Sequence, residues 1–187
     1  HTKRALQLAA DLGAPCITTE PGGLLADNQS WKVGADIFYE ELMPCVEIAE
    51  SVGVDLLIEP EPELMIETFG QYLEFIDRID SDKIGLNFDI GHAFCVGEDP
   101  QDWIAKMQSH TRHYHFEDIA ASRKHAHLIP GHGAIDFEAT LREIARTNYD
   151  GWITVELYPY IDEPDKASRE AFSFLQRTMQ HLEIPVQ

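Results

Sequence analysis

The stretch Leu86-Asn87-Phe88-Asp89-Ile90-Gly91-His92 (LNFDIGH) carries the pattern from which the architecture can be read. Ile84–Asp89 is an apolar, β-prone run that ends on an acid, with His92 three residues further on. A carboxylate closing a buried strand is costly unless an ion pair or a cation meets it. The same pattern recurs along the chain. Ala14–Glu20 (APCITTE) ends on Glu20, Asp55–Glu59 (DLLIE) on Glu59, His113–Phe116 carries His115, and Trp152–Leu157 (WITVEL) carries Glu156. Amphipathic stretches separate these runs. Helices are predicted over Lys3–Leu12 with Gly13 as its stop, Asp36–Val52 with Gly53 as its stop, Phe69–Ile79, Pro100–Ser109, Asp136–Thr147 and Asp165–Leu182. Five strands, each followed by a helix, predict an α/β fold whose parallel sheet is covered on both faces.

That alternation fits an open doubly wound sheet as well as part of a (β/α)8 barrel, and the polar strand ends choose between them. In a parallel α/β fold the C-terminal strand ends face the functional mouth. Taken singly, each acid reads equally well as half of a core ion pair. Four consecutive strands ending in Glu59, Asp89, His115 and Glu156 do not. Two Glu, one Asp and one His at one rim make an oxygen-rich, single-imidazole set for a divalent cation, with Mn, Mg, Co or Zn as the suitable ions.

Length and charge narrow the reading. A complete (β/α)8 barrel takes about 250 residues, and this chain has 187. It is expected to be a single partial domain over 1–187, holding strands four to eight and lacking the first three. The first residue is His1, already inside a helical pattern, so the start reads as a cut. Acidic residues number 33 against 14 basic ones, a formal charge of −19, which disfavours nucleic acid and anionic membrane surfaces and tolerates a bound cation. No apolar run reaches the ~20 residues of a membrane span. Cys16, Cys45 and Cys95 are odd in number and far apart, which points to reduced core thiols in a cytoplasmic protein.

The segments IEPEP, FDIGHAF, HYHFED and TVELY together resemble the xylose-isomerase-like TIM barrels. That superfamily holds sugar phosphate isomerases and epimerases, ketose 3-epimerases, inosose dehydratases, hydroxypyruvate isomerases and endonuclease IV enzymes. The resemblance implies that Glu59, Asp89, His115 and Glu156 are the metal ligands. It also implies that Glu59 and Glu156 double as the catalytic acid/base pair, and that His92 contacts substrate oxygens. His125–Phe137 (HAHLIPGHGAIDF) resembles the family stretch H-x-H-L-x-P-G-x-G-x-x-D-F, with His132 where Glu is usual. Gly131 and Gly133 are expected to let backbone approach a ligand, and Asp136 to cap a helix. His127 and Arg123 are further substrate-binding candidates. His125 and His127 also match two ligands of the nuclease's multi-zinc site, with exposed loop histidines as the plainer reading. His110 and His113 are expected to be structural, His113 pointing away from the mouth that His115 faces. Trp31, Phe94 and Tyr158 are candidates to stack on a sugar face or to pack at the rim.

The expected function is therefore a metal-dependent isomerase or epimerase that acts on a small-molecule sugar or sugar phosphate by proton transfer through an enediolate. Two alternatives stand beside it: an endonuclease IV-like phosphodiesterase, and a non-catalytic metal- or sugar-binding protein. No nucleic acid or membrane partner is expected. Unpaired edges of an incomplete barrel favour self-association, so a homo-oligomer is allowed.

Overall fold

The computed structural model describes residues 1–185 and forms two compact units, His1–Phe88 and Asp89–Gln187. In the first, α1 (Thr2–Leu12) leads into β1 (Cys16–Thr19), then α2 (Trp31–Val52), β2 (Asp55–Ile58), α3 (Phe69–Ile76) and β3 (Ile84–Asp89). α1 and α2 stop at Gly13 and Gly53, whose φ angles of 72° and 74° lie in the left-handed region that costs a side chain most. α2 starts five residues before the expected Asp36, because the Ser30 hydroxyl accepts the Val33 N–H and caps the helix there. A capping box of Thr68 and Gln71 opens α3. α3 ends at Ile76, short of the expected Ile79, since the Arg78 and Ile79 amides turn back to carbonyls three residues earlier.

β1 pairs with β2, and β2 with β3, all in parallel, with Thr19 opposite Ile58 and Ile58 opposite Leu86. Leu56, Leu57 and Ile58 are consecutive and all fully buried. A strand can bury successive residues only when both of its faces are covered, which is the property of parallel sheets. Phe69 packs on Phe88 with ring centroids 4.5 Å apart, and Tyr72 and Phe75 complete this core. Glu20 lies outside β1 and is exposed.

The second unit holds α4 (Ile90–Cys95), α5 (Pro100–Met107), β4 (Thr111–Phe116), α6 (Phe137–Arg146), β5 (Ile153–Val155) and α7 (Pro164–His181). The short α4 was not expected from the sequence. β4 and β5 are parallel, with His115 opposite Thr154. β5 is shorter than the expected Trp152–Leu157, yet the Glu156 N–H still donates to the Phe116 carbonyl at 3.0 Å, which extends the ladder to the acid. Along β4, Tyr114 and Phe116 enter the core with Leu141 and Ile144 of α6. The residues between them face the other side. Asp136 caps α6, as expected, by accepting the Ala139 N–H. α7 buries Ala167 and Ala171 against Ile129. No helix among the described residues is long and apolar enough to cross a membrane.

Candidate active site

Asp89 ends β3 and is at once the N-cap of α4: its Oδ1 accepts the His92 N–H at 2.7 Å. The strand and the cap together fix the carboxylate, which is 2% exposed. They also turn His92, buried like it, back toward the same place, its Nδ1 3.9 Å from Asp89 Oδ1. Burial opposes ionisation of Asp89. His92, the contact with Glu117, the His92 N–H and His115 outweigh it, so the carboxyl is held below its ordinary value.

His115 lies next to the end of β4, its Nδ1 3.5 Å from Glu156 Oε2. The hydrogen bond from His115 is the main reason the Glu156 carboxyl is held down, against its partial burial. Asp89, His115 and Glu156 each offer a ligand atom within 4.8 Å of the others. In the first unit, Glu59 follows β2 directly, is buried, and donates its N–H to the Thr19 carbonyl at 3.1 Å.

The loop after β4 brings two more imidazoles. His125 Nε2 is 3.0 Å from His127 Nε2, so one carries the hydrogen and the other accepts it. His92 meets the His125 ring edge-on at 4.8 Å between centroids. His127 is buried, with Nδ1 3.3 Å from the Glu156 carbonyl and its ring 4.5 Å from Tyr158. The exposed-loop reading of these two histidines is therefore corrected: the chain folds them inward onto the site. Burial is the first cause lowering the pKa of both His125 and His127. With His127 Nδ1 donating to the Glu156 carbonyl, His127 Nε2 accepts from His125 Nε2–H, and the neutral His125 ring keeps its lone pair on Nδ1.

His113 corrects a second expectation. Positions i and i+2 of a strand share a face, and the His113 and His115 rings do meet, edge to face at 5.3 Å. His113 remains structural in its partner, the Thr154 hydroxyl at 2.8 Å. Burial, then His115, hold its pKa down to about 4 from 6.5. Between those values the unfolded chain binds the proton and the folded one does not, so stability falls as pH drops from 6.5 to about 4. His113→Gln is expected to flatten that part of the profile, measured as urea midpoints against pH; an unchanged slope would show that other groups carry it.

Sequence reasoning passed over Glu117, the residue after β4. It is fully buried and groups with Asp89 and His92, and again with His127 and Glu156. Its place explains Gly91, where an added Cβ would lie 1.6 Å from Glu117 Oε1. The adjacent acids of the HFED segment were the available signal. Arg123 donates to the Phe94 carbonyl and to Asp99 Oδ1 at 2.6 Å, and its guanidinium lies 4.0 Å over the Phe94 ring. Trp31 donates its indole N–H to the Met65 carbonyl at 2.8 Å. Of the three stacking candidates, Tyr158 is the exposed one. His132 pairs with Glu170 at the surface.

Acids and imidazoles at the C-terminal ends of parallel strands define the class, an α/β protein whose polar side chains gather at its strand ends. The chain matches the family described as Xylose isomerase-like TIM barrel over residues 1–178, and it belongs to that family. Its five strands are thus five of that barrel's eight βα units. An inosose dehydratase of Lacticaseibacillus casei is 29% identical over 151 residues, a match covering 72% of this chain and 49% of that protein. The chain spans about half the length of the curated inosose dehydratases it matches. A solved D-tagatose 3-epimerase-like protein is 27% identical with a TM-score of 0.83, over 96% of this chain and 69% of the other. The IolI protein, solved with a bound zinc atom, shares the fold at 21% identity and a TM-score of 0.77, over 95% and 66% of the two chains.

Proposed function

We propose that this chain carries the rim of a divalent-metal-dependent enzyme that moves a proton next to the carbonyl of a sugar or inosose, working as an isomerase or epimerase. Residues 1–187 are taken as one partial barrel domain. The observation that supports the reading is the mutual closeness of Asp89, His115 and Glu156 at neighbouring strand ends. The donor chemistry fits a hard or borderline cation: carboxylate oxygens plus imidazole nitrogen, with ionised acids in a buried setting. Asp89, His115 and Glu156 would hold it, and on the family resemblance alone Glu59 is a further candidate ligand. When bound, the cation supplies Lewis-acid polarisation of the substrate carbonyl and a template for the neighbouring hydroxyl.

The chain's own groups do the rest. One of Glu59 and Glu156 takes the proton from the carbon beside the carbonyl, leaving an enediolate whose charge His92 stabilises by hydrogen bonding. The other carboxyl returns a proton to the opposite face in an epimerase, or to the adjacent carbon in an isomerase. His127 and Arg123 bind substrate hydroxyls, Arg123 exchanging Asp99 for them. The same first step, followed by departure of a neighbouring hydroxyl with a proton as water, is a dehydration. The name of the Lacticaseibacillus relative supports that variant.

The trio His92, His125 and His127 favours a second reading, a multi-cation phosphodiesterase. The charge of −19 and the engagement of Arg123 with Asp99 weigh against holding a phosphate backbone. The test is to strip the chain with chelator, reload it with Mn, Co, Zn or Mg, and offer an inosose and a panel of ketohexoses in D2O. Deuterium uptake beside the carbonyl is expected with at least one cation. No uptake with any of them, alongside nicking of abasic DNA, would replace this reading by the second.

A further inference from the structure

Asp118 stands two residues beyond β4 and is 1% exposed. Four main-chain N–H groups converge on its carboxylate: Ile119 and Ile135 donate to Oδ1 at 2.9 and 3.1 Å, and Gly131 and Gly133 to Oδ2 at 2.9 and 2.7 Å. Its backbone is engaged as well, exchanging both hydrogen bonds with Leu128 at 2.8 and 2.7 Å. Main-chain N–H groups that converge on one concavity make an anion-binding site. From the sequence, Gly131 and Gly133 are expected to let backbone approach an outside ligand. The anion that fills the site is the chain's own Asp118.

Gly133 is fitted to this job. A Cβ on Gly133 would lie 2.4 Å from Asp118 Oδ1 and 2.3 Å from the Ile119 carbonyl oxygen. A buried carboxylate is tolerable only when its oxygens are fully met, and charge-assisted bonds of this kind are about twice as strong as neutral ones. The segment so gathered begins at the residue after His127, whose ring already rests against Glu156 and Tyr158.

We propose that Asp118 is a positioning residue: an internal anion that closes the 119–135 loop on itself and thereby holds His125 and His127 at the rim. What His127 then does for a substrate rests on the function proposed above, whereas the placement of the loop does not. Neutralising the anion with little change of shape should release it. In Asp118→Asn an NH2 donor takes the place of one oxygen and faces N–H donors.

The test follows amide exchange and histidine ring ¹⁵N signals by NMR on the whole chain, with no substrate or cation. In the unsubstituted protein the Gly131, Gly133 and Ile135 amides are expected to exchange about 100-fold or more slowly than open loop amides. Asp118→Asn should raise their exchange by at least about tenfold and move the His125 and His127 ring signals, while the β4 and β5 amides stay protected. Gly133→Ala, which attacks the site from the other side, should do the same. Loop amides that exchange freely in the unsubstituted protein would overturn the proposal even if neither variant folds. So would a folded Asp118→Asn whose His127 ring signal stays put. Because no turnover is read, failure here is separate from failure of the functional reading.

Discussion

Glu156→Gln is expected to cut turnover by about 10²–10⁴-fold, the usual worth of a positioned general acid or base, and to stop exchange of the substrate's C–H with solvent deuterium. Glu156 extends the β5 ladder, so its backbone is fixed by the Phe116 carbonyl. Its carboxyl is held below the ordinary value chiefly by the His115 hydrogen bond, which keeps it ionised and able to accept a proton at neutral pH. Glutamine preserves the length and one ligating oxygen but has no basic site. Turnover by the unsubstituted chain should accordingly fall as pH drops through that depressed carboxyl range. The measurement is NMR of recovered substrate from D2O, with cation content checked in parallel. Deuterium uptake at the unsubstituted rate by cation-loaded Glu156→Gln would remove Glu156 from the proton path.

The second large effect concerns Asp89. A cation that binds only the folded chain stabilises it by about 2.7 kcal/mol when present at ~100 times its Kd. Unsubstituted protein should show that gain as a raised unfolding midpoint with Mn, Co or Zn, reversed by chelator. Asp89→Asn should lose most of it. Asparagine can still accept the His92 N–H, so α4 keeps its cap and the comparison isolates the charge. In the absence of cation, the depressed Asp89 carboxyl contributes stability above the ordinary carboxylate range, and that contribution disappears as pH falls through its lowered value. Asp89→Asn should therefore also flatten the acid limb. A full cation-induced shift in the variant would show that the ion binds elsewhere.

The alternation of strands and helices, the parallel sheet and the acids at its strand ends were all legible in the order of residues. Those features are written in local periodicity, as in the buried run Leu56–Ile58 and the acid that closes LNFD. Element edges escaped the sequence where single hydrogen bonds decide: the Ser30 cap that starts α2 early, and the short helix α4 hung on Asp89. Packing between distant segments brought His125 and His127 inward, set Glu117 against Gly91 and placed Asp118 on the Gly131 and Gly133 amides. Each of these depends on contacts between residues separated by a turn or a long loop, whose direction no periodicity encodes. A glycine next to such a loop reads the same in sequence whether it makes room for a substrate or for a carboxylate of its own chain, and the packing decides which.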